Sequence, residues 1–202
     1  MLTEKIKKKF IILGFRPFCL CIFYKIYFII LASFFKIDKW HIKTPFHCRS
    51  YKQKIVEISN DLKPSTIVEV GCGAGDIISR VKGDSKYGYD QDTAVINFAR
   101  FLDKNTNYHT GSFDELNRTK FNIDLLIIIN WLHGVDETYI KSYIINSKIL
   151  SRTKFIFLDK VNKKDKSFHD FEDYFRGFAK KIFEFQDPED STRSLILLSI
   201  NK

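Results

Sequence analysis

Paired cysteines are the first thing this sequence lacks. Its four cysteines, at positions 19, 21, 48 and 72, form neither a metal-ligand spacing nor an even framework of the kind that staples small secreted domains. Cys19 and Cys21 lie one residue apart within an apolar run, so we expect buried thiols. Cys72 lies in a glycine-rich loop, where a thiol would be open to oxidation outside the cell. The cysteines therefore indicate a reducing compartment, the cytoplasm, and no metal site.

An excess of positive charge is missing from most of the chain, although the net charge is +9. Residues 1–60 hold 12 Lys/Arg against 3 Asp/Glu, whereas residues 61–202 hold 21 of each and sum to zero. An enzyme that acts on nucleic acids spreads positive potential along its binding face, so we expect no nucleic-acid partner. The length of 202 residues allows one domain with an extension. We divide the chain into a basic, aromatic-rich helical extension with a linker at 1–52 and a domain at 53–202.

An apolar, aromatic run from Phe10 to Ile37 follows four lysines near the start of the chain. Its densest part, Phe18 to Phe35, is near the lower length limit for a membrane span and contains Lys25, which would cost about 2.5–3.5 kcal/mol at a bilayer centre. No small-x-small cleavage site follows, which argues against a removable signal peptide. Three alternatives stay open: a helix in the membrane surface, a lid on the domain, and a true span. The flanking lysines favour the first, a peripheral contact of residues 1–37 with the inner face of a membrane.

Strand and helix patterns alternate from residue 53 onwards. This alternation predicts an α/β fold with parallel strands and helices on both faces. The last two strands are too close in sequence for a crossover helix, so they should pair antiparallel. The predicted strands are Thr66–Val70, Tyr87–Tyr89, Asn107–Thr110, Ile123–Ile129, Lys154–Leu158, Lys181–Phe185 and Ser194–Ile200, and the predicted helices are Gln53–Leu62, Asp76–Lys82, Thr93–Leu102, Thr138–Leu150 and Phe168–Phe178.

The run Val-Glu-Val-Gly-Cys-Gly-Ala-Gly at 68–75 places a glycine at every second position after the first strand. Glycine lets the backbone turn tightly and come within contact distance of a ligand, because no Cβ intervenes. A helix that begins at Asp76 would turn its free N–H groups towards that ligand. A dinucleotide fingerprint needs its third glycine at this position, so Asp76 argues against an NAD-dependent dehydrogenase.

The pattern Glu-x-Gly-x-Gly-x-Gly at 69–75 resembles motif I of the class I S-adenosylmethionine-dependent methyltransferases. Five alternating units closed by a hairpin also resemble the Rossmann-like, seven-stranded sheet of that family, and the resemblance covers residues 53–202. It implies S-adenosyl-L-methionine as the cofactor. In the family, the acidic residue at the end of the first strand helps to hold the amino-acid end of the cofactor, which gives Glu69 that role. The loop residues expected against the cofactor are Gly71, Cys72, Gly73 and Gly75.

The residues that follow strands two to four complete the cofactor site that the resemblance implies. The run from Tyr87 to Asp92 looks like the second motif of the family, with Asp90 on the ribose diol and Gln91 beside it. A carboxylate suits a diol because it accepts two hydrogen bonds. Ser112 stands where many relatives have an aspartate for adenine. The remaining predicted cofactor contacts are Ser112 and Phe113 beside adenine, and Asn130 and Trp131 along the methionine arm.

The resemblance also bears on the methyl acceptor. The Asp/Asn-Pro-Pro-aromatic motif of relatives that methylate nucleic-acid amino groups does not follow strand four, which argues against base methylation. A hydroxyl acceptor needs a base with a pKa near neutrality, and His133 is the first candidate, with His169 second. Loop residues beside a binding domain often contact substrate, so we expect His47, Arg49 and Tyr51 to do so.

Several functional hypotheses follow from these patterns. The first is an enzyme that O-methylates a sugar or glycolipid precursor, because the basic aromatic extension would hold it at a membrane and the segment 40–51 looks like one in small methyltransferases of bacterial surface-polysaccharide biosynthesis. The second is methylation of a cytoplasmic small metabolite, with the extension as a lid. A third is a non-catalytic module that binds the cofactor or a partner protein. The oligomeric state stays open.

Overall fold

The domain is built on a sheet of seven strands: β1 (Thr66–Val70), β2 (Ser85–Asp90), β3 (Asn107–Thr110), β4 (Ile123–Ile128), β5 (Thr153–Val161), β6 (Ala179–Asp187) and β7 (Asp190–Ile200). The strands lie in the order β3-β2-β1-β4-β5-β7-β6 in this computed structural model, which describes residues 2–132, 135–145, 148–161, 169 and 174–201. Strands β1 to β5 are parallel, and β7 runs antiparallel between β5 and β6. The predicted α/β sheet with a terminal antiparallel hairpin is confirmed.

The parallel strands end together at one edge of the sheet. Val70 of β1 is level with Tyr89 of β2, and Asp90 of β2 is level with Thr110 of β3. Ligands of open α/β sheets bind beyond the carboxyl ends of the strands. This register therefore brings the loops after β1, β2 and β4 to one place.

Both faces of the sheet are covered. Successive strand residues point to opposite faces, so Ile67 and Leu125 are buried on one side, and Val68 and Leu126 on the other. The helices are α1 (Leu2–Leu13), α2 (Phe15–Phe35), α3 (Lys39–Ile42), α4 (Ser50–Asp61), α5 (Thr93–Leu102), α6 (Phe113–Arg118), α7 (Glu137–Ile140) and α8 (Lys148–Ser151), with 3₁₀ turns at Phe46–Cys48 and Ile78–Arg80 and a π-helical segment at Lys141–Ile145. The predicted boundary between residues 52 and 53 falls within the first turn of α4.

Two predicted helices differ from the structure. The helix expected over Asp76–Lys82 is replaced by turns and the 3₁₀ turn Ile78–Arg80. In this segment the side chain of Glu69 accepts a hydrogen bond from the N–H of Ile78. The helix expected over Thr138–Leu150 is divided between α7, the π-helical segment and α8. Within the helix expected over Phe168–Phe178, residues 168 and 170–173 lie outside the described residues, and the chain turns at 175–178.

The N-terminal extension begins with helices α1 and α2, and α2 packs on the domain. Gly14, with φ of +77°, separates α1 from α2. Phe28 and Ala32 of α2 are buried in a cluster with Phe98 of α5, and the Phe28 and Phe98 rings meet edge to face with centroids 5.4 Å apart. By length and composition alone, α2 is also apolar enough to cross a membrane. The extension therefore covers part of the domain while it retains an apolar outer surface.

The cysteines correct the sequence interpretation. Cys21 of α2 and Cys48 of the 3₁₀ turn before α4 form a disulfide, although the cysteine spacing predicts no disulfide framework. Cys19 is exposed, whereas a buried thiol was predicted. Cys72 is buried rather than open to oxidation, and burial raises the pKa of its thiol well above the usual range. The prediction of a reducing compartment thus loses the cysteine arguments that supported it.

Candidate functional site

A cavity of about 450 Å³ opens at the carboxyl edge of the sheet. Its volume falls in the range typical of small-molecule sites. One wall comes from the loops after β1, β2 and β4, and the opposite wall comes from α3, the linker, the start of α4 and strand β7. The lining residues are Trp40, His41, Lys43, Thr44, Arg49, Tyr51, Lys52, Glu69, Gly71, Cys72, Gly73, Ala74, Asp76, Ile77, Asp90, Gln91, Asp92, Ile129, Asn130, Trp131 and Arg193.

The glycine loop presents bare backbone to this cavity. Its first residues are tied to β2, because the N–H groups of Gly71 and Cys72 both donate to the carbonyl oxygen of Tyr89, at 2.8 and 3.0 Å. A Cβ on Gly71 would lie 2.6 Å from Cδ1 of Trp131, so only glycine fits there. Gly73 has φ of +52°, and a Cβ on it would meet only His41, at 3.8 Å. The loop is thus packed tightly behind Gly71 and open towards the cavity at Gly73.

Asp90 at the end of β2 fixes the same loop. Its Oδ2 accepts a hydrogen bond of 2.9 Å from the N–H of Gly73, and its Oδ1 accepts one of 3.0 Å from the N–H of Asp92. A carboxylate can accept about four hydrogen bonds, so each oxygen keeps acceptor capacity that faces the cavity. The carboxylate therefore both shapes the loop and remains able to bind a pair of hydroxyls.

Glu69 is a buried carboxyl on the cavity wall. It is 3% exposed, and its Oε2 accepts a hydrogen bond of 2.9 Å from the N–H of Ile78. Burial disfavours the charged form and raises the pKa of Glu69 to about 8, despite that hydrogen bond and the nearby ammonium of Lys52. A cation placed beside Glu69 would favour its charged form.

Lys52 and Asp76 form a buried ion pair beside Glu69. The Lys52 Nζ lies 2.8 Å from Oδ2 of Asp76 and donates a second hydrogen bond of 2.8 Å to the carbonyl of Thr44. Burial alone would lower the pKa of Lys52, but the carboxylate of Asp76 outweighs that effect and raises it. The residue that breaks the dinucleotide pattern therefore has a structural partner, and one N–H of the ammonium remains for a ligand.

A hydrogen-bonded network holds Asn130 in the cavity wall. Asn130 has a left-handed backbone with φ of +60°, which asparagine tolerates better than most residues. Its N–H donates to Oδ1 of Asp159 at 3.0 Å, and its Nδ2 donates to the hydroxyl of Tyr51 at 3.0 Å. The Arg193 guanidinium lies 4.2 Å from the Tyr51 ring centre and forms an ion pair of 2.8 Å with Asp159. Residues from four elements thus fix the end of the cavity beyond β4.

The second wall comes from the segment between α2 and α4. Trp40 is 69% exposed at the rim. Nε2 of His41 lies 3.7 Å from Oδ2 of Asp92, which caps α5. Arg49 lies 3.5 Å from Glu189 in the turn between β6 and β7. Aromatic and basic side chains therefore face the glycine loop across the cavity.

The structure brings most of the predicted site residues together. Those that line the cavity are Glu69, Gly71, Cys72, Gly73, Asp90, Gln91, Asn130, Trp131, Arg49 and Tyr51. Gly75 lies in the same loop but outside the lining, against the side chain of Tyr108. The roles of these predicted residues in binding a cofactor or substrate stay predictions.

Other predicted residues lie elsewhere. Phe113 is fully buried against Trp131, and the Ser112 hydroxyl lies 3.0 Å from that of Tyr139, so neither lines the cavity. The ring of His47 packs on Tyr24 and Phe46 instead of the cavity, and burial lowers its pKa. Nδ1 of His169 lies 3.1 Å from the Tyr174 hydroxyl, also away from the lining. His133 is outside the described residues.

Sequence reasoning missed several lining residues. His41, Lys52 and Arg193 lie far from motif I in sequence, on elements that reach the cavity only after folding. One signal in the sequence could have predicted Lys52. Asp76 stands where the dinucleotide fingerprint has its third glycine, and a carboxylate buried at such a position needs a cation as its partner. No comparable pattern marks Arg193.

The fold defines a class of protein. No protein-family model matches the chain, and no curated protein matches its sequence. Solved structures do match: the chain has the fold of the class I S-adenosylmethionine-dependent methyltransferases.

Three of these structures illustrate the similarity. The N-methyltransferase NodS from Bradyrhizobium japonicum WM9, in complex with S-adenosyl-L-homocysteine, aligns with a TM-score of 0.64 at 13% identity, covering 79% of this chain and 89% of NodS. Magnesium protoporphyrin IX methyltransferase (ChlM) from Synechocystis PCC 6803, also with bound S-adenosylhomocysteine, gives 0.59 at 10% identity, covering 75% and 84%. WbdD, in a co-crystal structure with a kinase inhibitor, gives 0.61 at 20% identity, covering 75% of this chain and 41% of WbdD.

Proposed function

We propose that this chain is an enzyme that transfers a methyl group from S-adenosyl-L-methionine to an oxygen of a sugar or glycolipid precursor. The observation that carries the cofactor part of the proposal is the combination of a bare glycine backbone, a buried carboxyl and a strand-end carboxylate around one cavity. NodS and ChlM, which share the fold, were crystallised with the demethylated product of this cofactor.

The chemistry of the lining fits the parts of the cofactor. Glu69 would accept hydrogen bonds from the ammonium of the amino-acid end, and Lys52 stands beside it as a cation for the carboxylate. Asp90 would accept from the ribose diol, and the open backbone at Gly73 would allow close approach. The bound cofactor supplies an electrophilic methyl group on a sulfonium. The protein's task is then to orient the acceptor and to remove its proton.

A histidine in the cavity suits the proton transfer. Among the described histidines, His41 lines the cavity, with Asp92 3.7 Å from its Nε2. A carboxylate beside an imidazole can orient the ring. His41 therefore joins His133 as a candidate base, while His169 lies away from the lining.

We propose that the enzyme works in the cytoplasm, at the inner face of a membrane. The first 60 residues carry the whole excess of positive charge, and cytoplasmic leaflets carry a negative surface potential. A cytoplasmic metabolite is the alternative acceptor. It is favoured by the packing of α2 on α5, which lets the extension act as a lid.

Calorimetric titration tests the cofactor first. S-adenosylhomocysteine should bind the full chain, whereas NAD should not; binding of NAD alone would reverse the assignment. Transfer of labelled methyl from S-adenosylmethionine to saccharides, glycolipids and small metabolites then tests the reaction. Binding without transfer to any acceptor would favour a non-catalytic module. Loss of transfer in His41→Ala, with cofactor affinity retained, would identify this residue as the base.

A further inference from the structure

The outer surface of α2 is unusually apolar for a helix that packs on a domain. Six exposed side chains form one stripe along it, which we call the outer stripe: Ile22, Phe23, Ile26, Ile29, Ile30 and Phe34. They lie on the side opposite the buried residues Cys21, Phe28 and Ala32. Contiguous exposed apolar surface of this kind marks an interaction site.

The neighbouring helix α1 extends this surface and adds charge. Ile11 and Phe15 are more than 70% exposed where α1 meets α2, and Phe10 packs edge to face on Phe18. Residues 1–37 contain seven Lys/Arg and one acidic residue, a net charge of +6. Lys7 and Lys8 are exposed. Apolar surface bordered by cations matches the interface of an anionic bilayer.

The packing of α2 decides how it meets that bilayer. The helix has 21 residues, about 31 Å at 1.5 Å per residue, which is enough for a span. A span would place Phe28 close to the bilayer centre, but Phe28 is buried against Phe98 of α5. The disulfide from Cys21 to Cys48 ties the same face to the linker. The domain thus occupies one side of the middle of α2, where a span would be surrounded by lipid.

We propose that the outer stripe of α2, with the basic helix α1, docks on an anionic lipid bilayer with α2 parallel to the membrane plane. The inner face of the helix stays packed on the domain while the outer face enters the acyl boundary. Trp40, which follows α2 closely, lies on the rim of the cavity. The docked orientation brings that rim near the membrane. The docking rests on the membrane contact of the proposed function and specifies its residues, its depth in the bilayer and the charge of the lipid. Its test needs no cofactor.

Vesicle flotation of the full chain tests the docking. We expect flotation with vesicles of phosphatidylcholine and phosphatidylglycerol and little with phosphatidylcholine alone. Ile26→Gln/Ile30→Gln should weaken the partition at least about tenfold, because both side chains leave the acyl boundary. Ile182→Gln is the matched control, since Ile182 is 50% exposed on β6 and Ile30 is 56% exposed. Thermal unfolding midpoints equal to that of the wild type establish that the variants fold. Equal losses in both variants, or no flotation of the wild type, overturn the proposal.

Two further measurements test the lipid charge and the orientation. Replacing Lys7 and Lys8 by Gln should weaken binding about fivefold for each lysine on anionic vesicles. Binding that is indifferent to phosphatidylglycerol contradicts this. For depth, Phe23→Trp, Ile30→Trp and Phe34→Trp, each in a background of Trp40→Phe/Trp131→Phe, report quenching by lipids labelled at different positions. Equal depth supports the in-plane helix, and a gradient along the helix shows a span.

The identity of the docking partner and the proposed function can be tested separately. Sedimentation velocity without lipid should show a monomer; a dimer that Ile26→Gln/Ile30→Gln dissociates would assign the outer stripe to a second copy of the chain instead. S-adenosylhomocysteine affinity should be equal in the stripe variant and the wild type. Failure of flotation with cofactor binding intact removes the docking alone, and flotation without cofactor binding removes the proposed function alone.

Discussion

Replacing Glu69 by glutamine should change how the stability of the protein depends on pH. The pKa of this carboxyl is about 8 in the folded protein, against an ordinary value of 4.5. Folding therefore favours the protonated form, so the contribution of Glu69 to stability is fully present below pH 4.5 and is lost as the pH rises to 8. The difference of about 3.5 pKa units (8 minus 4.5), at about 1.36 kcal/mol each, amounts to about 5 kcal/mol.

The glutamine variant removes this titration while it keeps the shape of the side chain. Its carbonyl oxygen can still accept the hydrogen bond from the N–H of Ile78. We expect Glu69→Gln to be more stable than the wild type by about 3–5 kcal/mol at pH 9, and to differ by about 1 kcal/mol or less at pH 5. That is a large part of the stability of an ordinary domain.

Urea unfolding followed by circular dichroism between pH 5 and 9 measures the effect. Glu57→Gln is the matched control, because Glu57 is an exposed glutamate of α4 and its replacement should retain the wild-type pH dependence. Identical slopes for the wild type and Glu69→Gln would show that the carboxyl ionises in the folded protein at its ordinary pKa. If the proposed function holds, the affinity for S-adenosylhomocysteine should rise with pH up to about 8 in the wild type only.

Three further predictions follow from the site and the cysteines. Asp90→Asn should weaken S-adenosylhomocysteine binding by about 1.5–3 kcal/mol in calorimetry, the range for a hydrogen bond to a charged group; unchanged affinity would refute its contact with the ribose. Lys52→Met should lower the free energy of unfolding by about 3–5 kcal/mol, because Asp76 then stays buried with only the guanidinium of Arg80, 4.0 Å away, and equal urea midpoints would contradict this. Ellman titration of the oxidised protein should find one reactive thiol, Cys19, in the native state and a second, Cys72, after unfolding; four thiols without reductant would exclude the disulfide.

The part of the site that sequence could predict is the part built by local pattern. Glu69 lies near the end of β1, whose apolar, β-branched pattern is clear, and the glycine loop follows it. Asp90 ends β2, and parallel strands place their ends at one edge. The prediction for Ser112 and Phe113 depended on a pattern that this chain only partly matches. The structure buries Phe113 in the core and turns Ser112 towards Tyr139.

The helix expected after the glycine loop shows why local propensity is insufficient. Residues 76–82 have a helical pattern, but Asp76 pairs with Lys52 and the N–H of Ile78 bonds to Glu69. Both partners come from other elements. The structure has turns and a single 3₁₀ turn where local pattern predicts a helix, and polar groups of this segment bond to residues of α4 and β1.

By itself, the sequence determined the sheet, its terminal hairpin and the ligand loop, because periodicity and glycine spacing act over a few residues. Only the tertiary structure decided which distant side chains complete the cavity, among them His41, Lys52 and Arg193. It alone paired Cys21 with Cys48 and packed the middle of α2 on α5, since such contacts join residues that no local pattern relates. Burial, which raises the pKa of Glu69, likewise exists only once the chain has folded.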